Sequence, residues 1–187
     1  MPFFLLLAFI VILILLFIGI YNSLVKIRNQ VRNAWKQIDV QLKRRHDLIP
    51  NLVNAVKGQM EFEKSTLESV IQARAAAVGA KNITESIAKE DILSSALSKL
   101  FAVVENYPTL KANESVQPLM EELTTTENQI SFARQFYNDI TTTFNTKLEI
   151  FPTNLFASAL GFNEFPLFEV KDAAEREAPT VDLSLKK

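Results

Sequence analysis

The chain has 187 residues but no cysteine, one histidine and only four glycines. Without cysteine it has no disulfide, no thiolate metal site and no thiol nucleophile. A single histidine excludes the HExxH zinc motif, and so few glycines leave no phosphate-cradling loop or nucleophile elbow. The sequence therefore predicts a protein that is not an enzyme and that takes no cofactor, metal or small-molecule substrate.

Charge is absent from the first part of the chain. The 19 residues from Phe3 to Tyr21 are uncharged and almost all aliphatic or Phe, and as a helix they would span roughly 29 Å, the thickness of a hydrocarbon core. We predict a transmembrane anchor over residues 1–25. The competing interpretation, a cleaved signal peptide, would need a charged n-region, a shorter apolar core and a small-x-small cleavage site.

Positive charge follows the anchor closely. Between residues 26 and 46, seven Lys or Arg and one Asp give +6, so the rest of the chain carries −7 to reach the total of −1. Because positive residues resist translocation, we predict a single-pass protein of the bacterial inner membrane with its N-terminus outside and its bundle in the cytoplasm. Lys26, Arg28 and Arg32 are the candidate contacts to anionic headgroups of the lipid bilayer.

Beyond the anchor, apolar residues recur at helical spacing from Leu24 to Leu42, which predicts a helix that leaves the bilayer and runs to about His46. Trp35 beside this stripe is interpreted as a packing residue. Asp47 can cap a new helix and Pro50 suits only a first turn, so Arg45 to Pro50 should be a tight turn. A kink in one longer helix is the alternative.

Three further helices are predicted. The first runs from Leu52 to Ala77, the second covers Ile87 to Val104 and stops before Pro108, and a loop over Tyr107 to Glu114 leads to the third, from Val116 to about Phe151. With no strand pattern present, we predict an all-α protein in which residues 26–151 form an antiparallel four-helix bundle with long helices.

Residues 152–187 are predicted to form a short helical turn, from Asn154 to Leu160, and a loosely ordered tail. Apolar surface that cannot be buried in this region would favour oligomers or contact with the bilayer. The residues that we single out for this are Phe162, Phe165, Leu167 and Phe168.

Several polar residues have two interpretations. Glu127, Asn128, Asn138 and Asp139 either fix the register of the last helix or form a solvated flank. His46 is expected to interact with the last carbonyls of its helix rather than to form an acid/base pair with Asp47. Nucleic acid is excluded as a partner, because no basic face with interleaved aromatics is present.

Several sequence motifs are distributed along the chain: Asp39 to Val53 (DVQLKRRHDLIPNLV), Val104 to Pro108 (VENYP), Leu110 to Asn113, Thr126 to Asn128, and Tyr137 to Asp139. Together these motifs resemble those of the LemA family. The resemblance covers nearly the whole chain and implies a bacterial membrane protein with an N-terminal anchor and a LemA-like four-helix bundle. One branch of the family is associated with magnetosome membranes, and members are often encoded near a membrane zinc metalloprotease. The family implies no settled biochemical activity.

These observations favour a non-enzymatic, membrane-anchored helical scaffold that self-associates and organises membrane or partner proteins. The alternative is a monomeric adaptor that presents its distal tip to a membrane protease or another membrane-protein partner. Because solvent-facing loop residues often serve binding, Arg44, Arg45 and His46 in the predicted turn are the candidate interaction residues.

Overall fold

The computed structural model describes residues 2–58, 63–111 and 113–168, and in these residues the regular elements are all helices. The helices are α1 (Pro2–Lys57), α2 (Lys64–Val78), α3 (Ile83–Glu105), the short α4 (Pro108–Lys111) and α5 (Gln117–Glu149), followed by a 3₁₀ turn at Thr153–Leu155. The all-α prediction is confirmed. Most of the predicted tail lies outside the described residues, which end at Phe168.

The predicted turn at Arg45 to Pro50 is wrong. Helix α1 is 56 residues long and passes straight through this region, because its buried stripe continues without a break from Leu42 through Arg45 and Ile49 to Leu52. The alternative of one longer helix is the correct one. Helix α1 ends at Lys57 and α2 begins at Lys64. The helix predicted from Leu52 to Ala77 is therefore divided between the end of α1 and α2.

Pro50 is accommodated inside α1 by a contact from another helix. Proline has no N–H and leaves the carbonyl four residues earlier without its helical donor; here that carbonyl belongs to His46. The Nε of Arg74 in α2 donates to it at 2.7 Å. The carbonyl that Pro50 leaves without a backbone donor is therefore satisfied by a side chain of α2, and the helix continues past the proline.

The other helix ends largely follow their predictions. Helix α3 starts at Ile83, earlier than its stripe suggested, and Asn82 caps it by accepting a 2.9 Å hydrogen bond from the Glu85 N–H. It ends before Pro108 as expected, but the loop predicted after it contains α4. Proline suits the first turn of a helix, where its missing N–H is not needed.

The core has two parts. In the membrane-proximal part, α1 from Leu24 to Leu42 packs against α5 from Ile130 to Leu148, together with Ala157 and Phe162. In the distal part, α1 from Ile49 to Val56 packs with α2, α3, α4 and the start of α5. Trp35 packs in the proximal part, 5.6 Å from the Tyr137 ring, which confirms its predicted packing role.

The start of α1 is long and apolar enough to cross a membrane. The side chains from Phe3 to Ile18 are exposed, and the ring of Phe17 lies 5.1 Å from that of Phe156, which is outside α1. A continuous helix therefore joins this apolar stretch to the distal core. The domain boundaries at residues 25 and 151 stay predictions.

Candidate functional site

A buried charge cluster joins three helices at the middle of the bundle. Arg45 of α1 is fully buried and forms ion pairs with Glu90 of α3 and Glu127 of α5. Its Nη1 also donates to the Ser94 hydroxyl at 2.8 Å, and that hydroxyl donates to Glu127 at 3.1 Å. The expectation that Arg45 faces solvent is wrong, because the helical stripe carries it into the core.

His46 completes the cluster from the next position of α1. Its Nε2 lies 2.8 Å from Oε1 of Glu90, whose side chain is 1% exposed. Burial alone would raise the pKa of the Glu90 carboxyl, but the interactions with His46 and Arg45 outweigh it and hold this pKa below its ordinary value. The predicted helix-end role of His46 is wrong, since α1 continues for eleven residues, to Lys57.

Arg44 is the most exposed of the three candidate interaction residues Arg44, Arg45 and His46. Its side chain is 47% exposed and forms an ion pair with Glu122 of α5. Exposed pairs of this kind contribute little to stability. A role for Arg44 in binding a partner stays a prediction, whereas Arg45 and His46 are engaged with Glu90 inside the bundle.

Arg134 extends the cluster along α5. Its Nη1 lies 3.5 Å from Oδ1 of Asp91, and its guanidinium lies 4.8 Å from the centre of the Phe168 ring. Burial and the charge of Arg45 lower the pKa of Arg134, although the nearby carboxylates act in the opposite direction. Sequence reasoning missed both Arg134 and Glu90, because a charged residue on a helix is normally interpreted as solvent-facing.

The cluster is suited to fixing helices rather than to chemistry. Within the described residues, no group of three His, Cys, Asp or Glu side chains could hold a metal ion. The guanidinium of Arg45 and the carboxylate of Glu90 are almost completely buried. A buried cation that needs partners on α3 and α5 holds the three helices in one register, which is a documented use of buried polar groups.

The segment from Phe162 to Phe168, which we call the C-terminal strap, folds back along α1 and α5. Phe162 is 3% exposed, and the Phe168 ring stacks on Trp35 at 6.0 Å. The expectation that these aromatics are left over for oligomers or lipid is therefore wrong for Phe162, Phe165 and Phe168, which the helices bury wholly or in part. Leu167, at 36% exposed, is the predicted residue that remains outside.

Two asparagines of α5 fix the backbone of the strap. Asn138 donates to the Phe168 carbonyl at 2.9 Å and accepts from the Phe168 N–H at 3.0 Å. Asn145 does the same for Phe165, at 2.9 and 3.1 Å. An amide side chain carries both a donor and an acceptor and so satisfies both backbone groups. Of the four polar residues with two interpretations, Glu127 and Asn138 make register-fixing contacts, whereas Asn128 and Asp139 are exposed.

The candidate membrane-surface residues differ in their surroundings. Lys26 and Arg32 are exposed, but Arg28 is half-buried with its guanidinium 4.8 Å from the centre of the Phe162 ring. A cation that sequence reasoning missed lies at the same level: Lys147 of α5 donates to the Ser23 hydroxyl at 2.9 Å. Contact of any of them with headgroups stays a prediction.

Comparison with known proteins places these features in a family context. The model of the LemA family matches residues 34–183. Protein LemA of Metamycoplasma hominis is 30% identical over 172 residues, which cover 90% of this chain and 76% of that protein. Magnetosome protein MamQ 2 of Paramagnetospirillum magneticum is 25% identical over 189 aligned positions, covering 87% of this chain and 70% of the relative. Magnetosome protein MamQ of Magnetospirillum gryphiswaldense is 24% identical, with 83% and 66% covered.

Proposed function

This chain belongs to the LemA family, and from that premise we propose that it is a non-enzymatic, membrane-anchored helical scaffold that organises membrane or partner proteins. The observation that carries the proposal is the continuity of α1 from Pro2 to Lys57. At 1.5 Å per residue the helix is about 84 Å long. A single helix of this length transmits the orientation of the membrane segment directly to the distal core, as a scaffold requires.

The bundle around this helix is proposed to be an antiparallel four-helix bundle. Two contacts between α1 and α5 support this. Lys147, near the end of α5, contacts Ser23, early in α1, whereas Glu122, near the start of α5, contacts Arg44, later in α1. Between α1 and α2, Arg74 reaches the carbonyl of His46. The buried cluster around Arg45 favours one register of these helices and so a defined shape.

The membrane location is proposed to be the bacterial inner membrane, with a single pass and the bundle in the cytoplasm. The cations that follow the apolar stretch support this orientation, since positive residues resist translocation. Relatives that are named for the magnetosome, a membrane-bounded organelle, support a membrane-associated role.

Self-association is the assembly mode that we propose for the scaffold. Phe132 and Phe136 lie one turn apart on α5 and are 74% and 48% exposed. Large exposed apolar side chains on successive turns of one helix form a surface that a second copy of the chain can cover. The Phe132→Ser and Phe136→Ser changes remove that surface without touching the core.

The second candidate is a monomeric adaptor for a membrane protein. It is favoured by Arg44, whose side chain is 47% exposed and pairs with Glu122, because a guanidinium has five donors and can also bind an acidic patch of a partner. An adaptor would remain small until that partner is present.

The mass of the full chain in nanodiscs or mild detergent separates the two functions. A scaffold forms a discrete particle of several copies without any partner, and the Phe132→Ser/Phe136→Ser chain should be smaller. A matched control is Asn128→Ser/Gln135→Ser, which changes exposed polar residues of the same helix. A monomer at all protein-to-lipid ratios would contradict the scaffold and favour the adaptor.

A further inference from the structure

The end of α5 returns to the level of the apolar stretch. The residues from Ile150 to Leu160, which we call the return segment, follow Glu149 and carry no charge; the next charged residue is Glu164. The ring of Phe156 lies 5.1 Å from the ring of Phe17, which belongs to the apolar stretch of α1. This contact places the return segment beside the candidate membrane span.

The return segment has one buried face and one apolar face that is open. Thr153 and Ala157 are 6% and 4% exposed and fix the segment against the helices. On the open face, Ile150, Phe151 and Leu155 are 51%, 77% and 73% exposed. Soluble proteins rarely present large apolar side chains together in this way, and such patches mark an interaction surface.

The position of the return segment along α1 indicates what covers its open apolar face. Phe17 lies four residues before Tyr21, the end of the apolar stretch, and thus about 6 Å inside that stretch along the helix. Lys147, three residues before the return segment, donates to the hydroxyl of Ser23, two residues after the end of the apolar stretch. The return segment therefore lies beside the apolar stretch, whereas the cation that precedes it lies just beyond the end of that stretch.

We propose that the return segment is a second membrane-binding element, which inserts Phe151 and Leu155 into the leaflet from which α1 emerges. Interfacial elements of this kind bury their apolar face about 5–10 Å into the boundary between headgroups and acyl chains. With two attachments, α1 cannot rotate freely about its axis, so the bundle has a fixed orientation on the bilayer. The inference rests on the proposed membrane anchor.

The test uses single cysteines in the full chain, which has none of its own. A polarity-sensitive fluorophore is attached at Leu155→Cys, at Ile10→Cys in the span, or at Val40→Cys. Val40 is a matched control because it is also an exposed apolar side chain, at 65% against 73% for Leu155, but it lies 19 residues after Tyr21, about 29 Å along α1. The proteins are placed in nanodiscs of phosphatidylethanolamine and phosphatidylglycerol that carry a spin-labelled quencher lipid.

We expect the label at residue 155 to show blue-shifted emission and to lose most of its intensity to the quencher lipid, as the label at residue 10 does, whereas the label at residue 40 does neither. Quenching at residue 10 without quenching at residue 155 would overturn this inference alone. Shielding of residue 155 from aqueous iodide without lipid quenching would assign the face to a second copy and would also overturn it. No quenching at residue 10 would remove the anchor, and the inference with it.

Discussion

Arg74 on α2 donates a 2.7 Å hydrogen bond to the backbone carbonyl of His46 on α1. That carbonyl is the one that would accept the N–H of residue 50 in a regular helix, and residue 50 is a proline. The arginine side chain thus replaces the missing backbone donor. The relationship explains how a proline persists inside a helix of 56 residues.

The first prediction concerns this replacement. Arg74→Met keeps most of the apolar stem but leaves the carbonyl without a donor, so we expect the free energy of unfolding to fall by about 1–3 kcal/mol. In a Pro50→Ala chain the restored N–H can occupy the carbonyl, and the same Arg74→Met change should cost less. Urea unfolding of the four chains in mild detergent measures the difference. An equal cost in both backgrounds would show that Arg74 acts elsewhere.

The second prediction concerns Arg45. Glu90→Leu removes one carboxylate from a fully buried guanidinium, and breaking a buried pair in this way costs about 3–5 kcal/mol of unfolding free energy. Adding Arg45→Met removes the buried charge that has lost one of its two carboxylate partners, so the double variant should recover most of that loss. Arg44→Met is the control, because its exposed pair with Glu122 should contribute no more than about 1 kcal/mol. A double variant as unstable as Glu90→Leu would contradict this account of the cluster.

The third prediction is a dependence on pH. The pKa of Glu90 is lower in the folded protein than its ordinary value of 4.5, so its stabilising contribution is complete above that value and is lost as the pH falls below it. We expect the free energy of unfolding to decrease from about pH 4.5 downward more steeply for the natural chain than for Glu90→Gln. Parallel curves for the two chains would exclude Glu90 as the group responsible.

The fourth prediction concerns the strap. Asn138→Ala removes two hydrogen bonds to Phe168, each worth about 1 kcal/mol net, and should release the end of the strap. Hydrogen exchange of the Phe168 amide should become faster. Asn128→Ala, a change at an exposed position of the same helix, should leave this amide protected. Unchanged exchange in Asn138→Ala would mean that Asn138 does not hold the end of the strap.

Periodicity predicted most of the helices, because buried positions of α3 and α5 recur every three or four residues. It failed at Pro50, since the donor that rescues the helix comes from Arg74, a residue 24 positions later in the chain. Charge was misleading at Arg45 and Glu90, which are interpreted as solvent-facing until their partners on other helices are known. The strap was missed because its binding depends on Asn138 and Asn145, whose contacts are not local.

The continuity of α1 between the membrane and the distal core can be measured directly. Spin labels at Asn22→Cys and Asn54→Cys, both exposed positions of α1, would be about 48 Å apart along an unbroken helix of 1.5 Å rise. The pair Asn22→Cys and Lys43→Cys is the control, at about 32 Å with or without a turn after residue 45. Pulsed dipolar spectroscopy of the full chain in nanodiscs should give the longer distance for the first pair. A distance near 30 Å for both pairs, as a turn at residues 45–50 would produce, would contradict a rigid helix that carries the bundle on its membrane anchor.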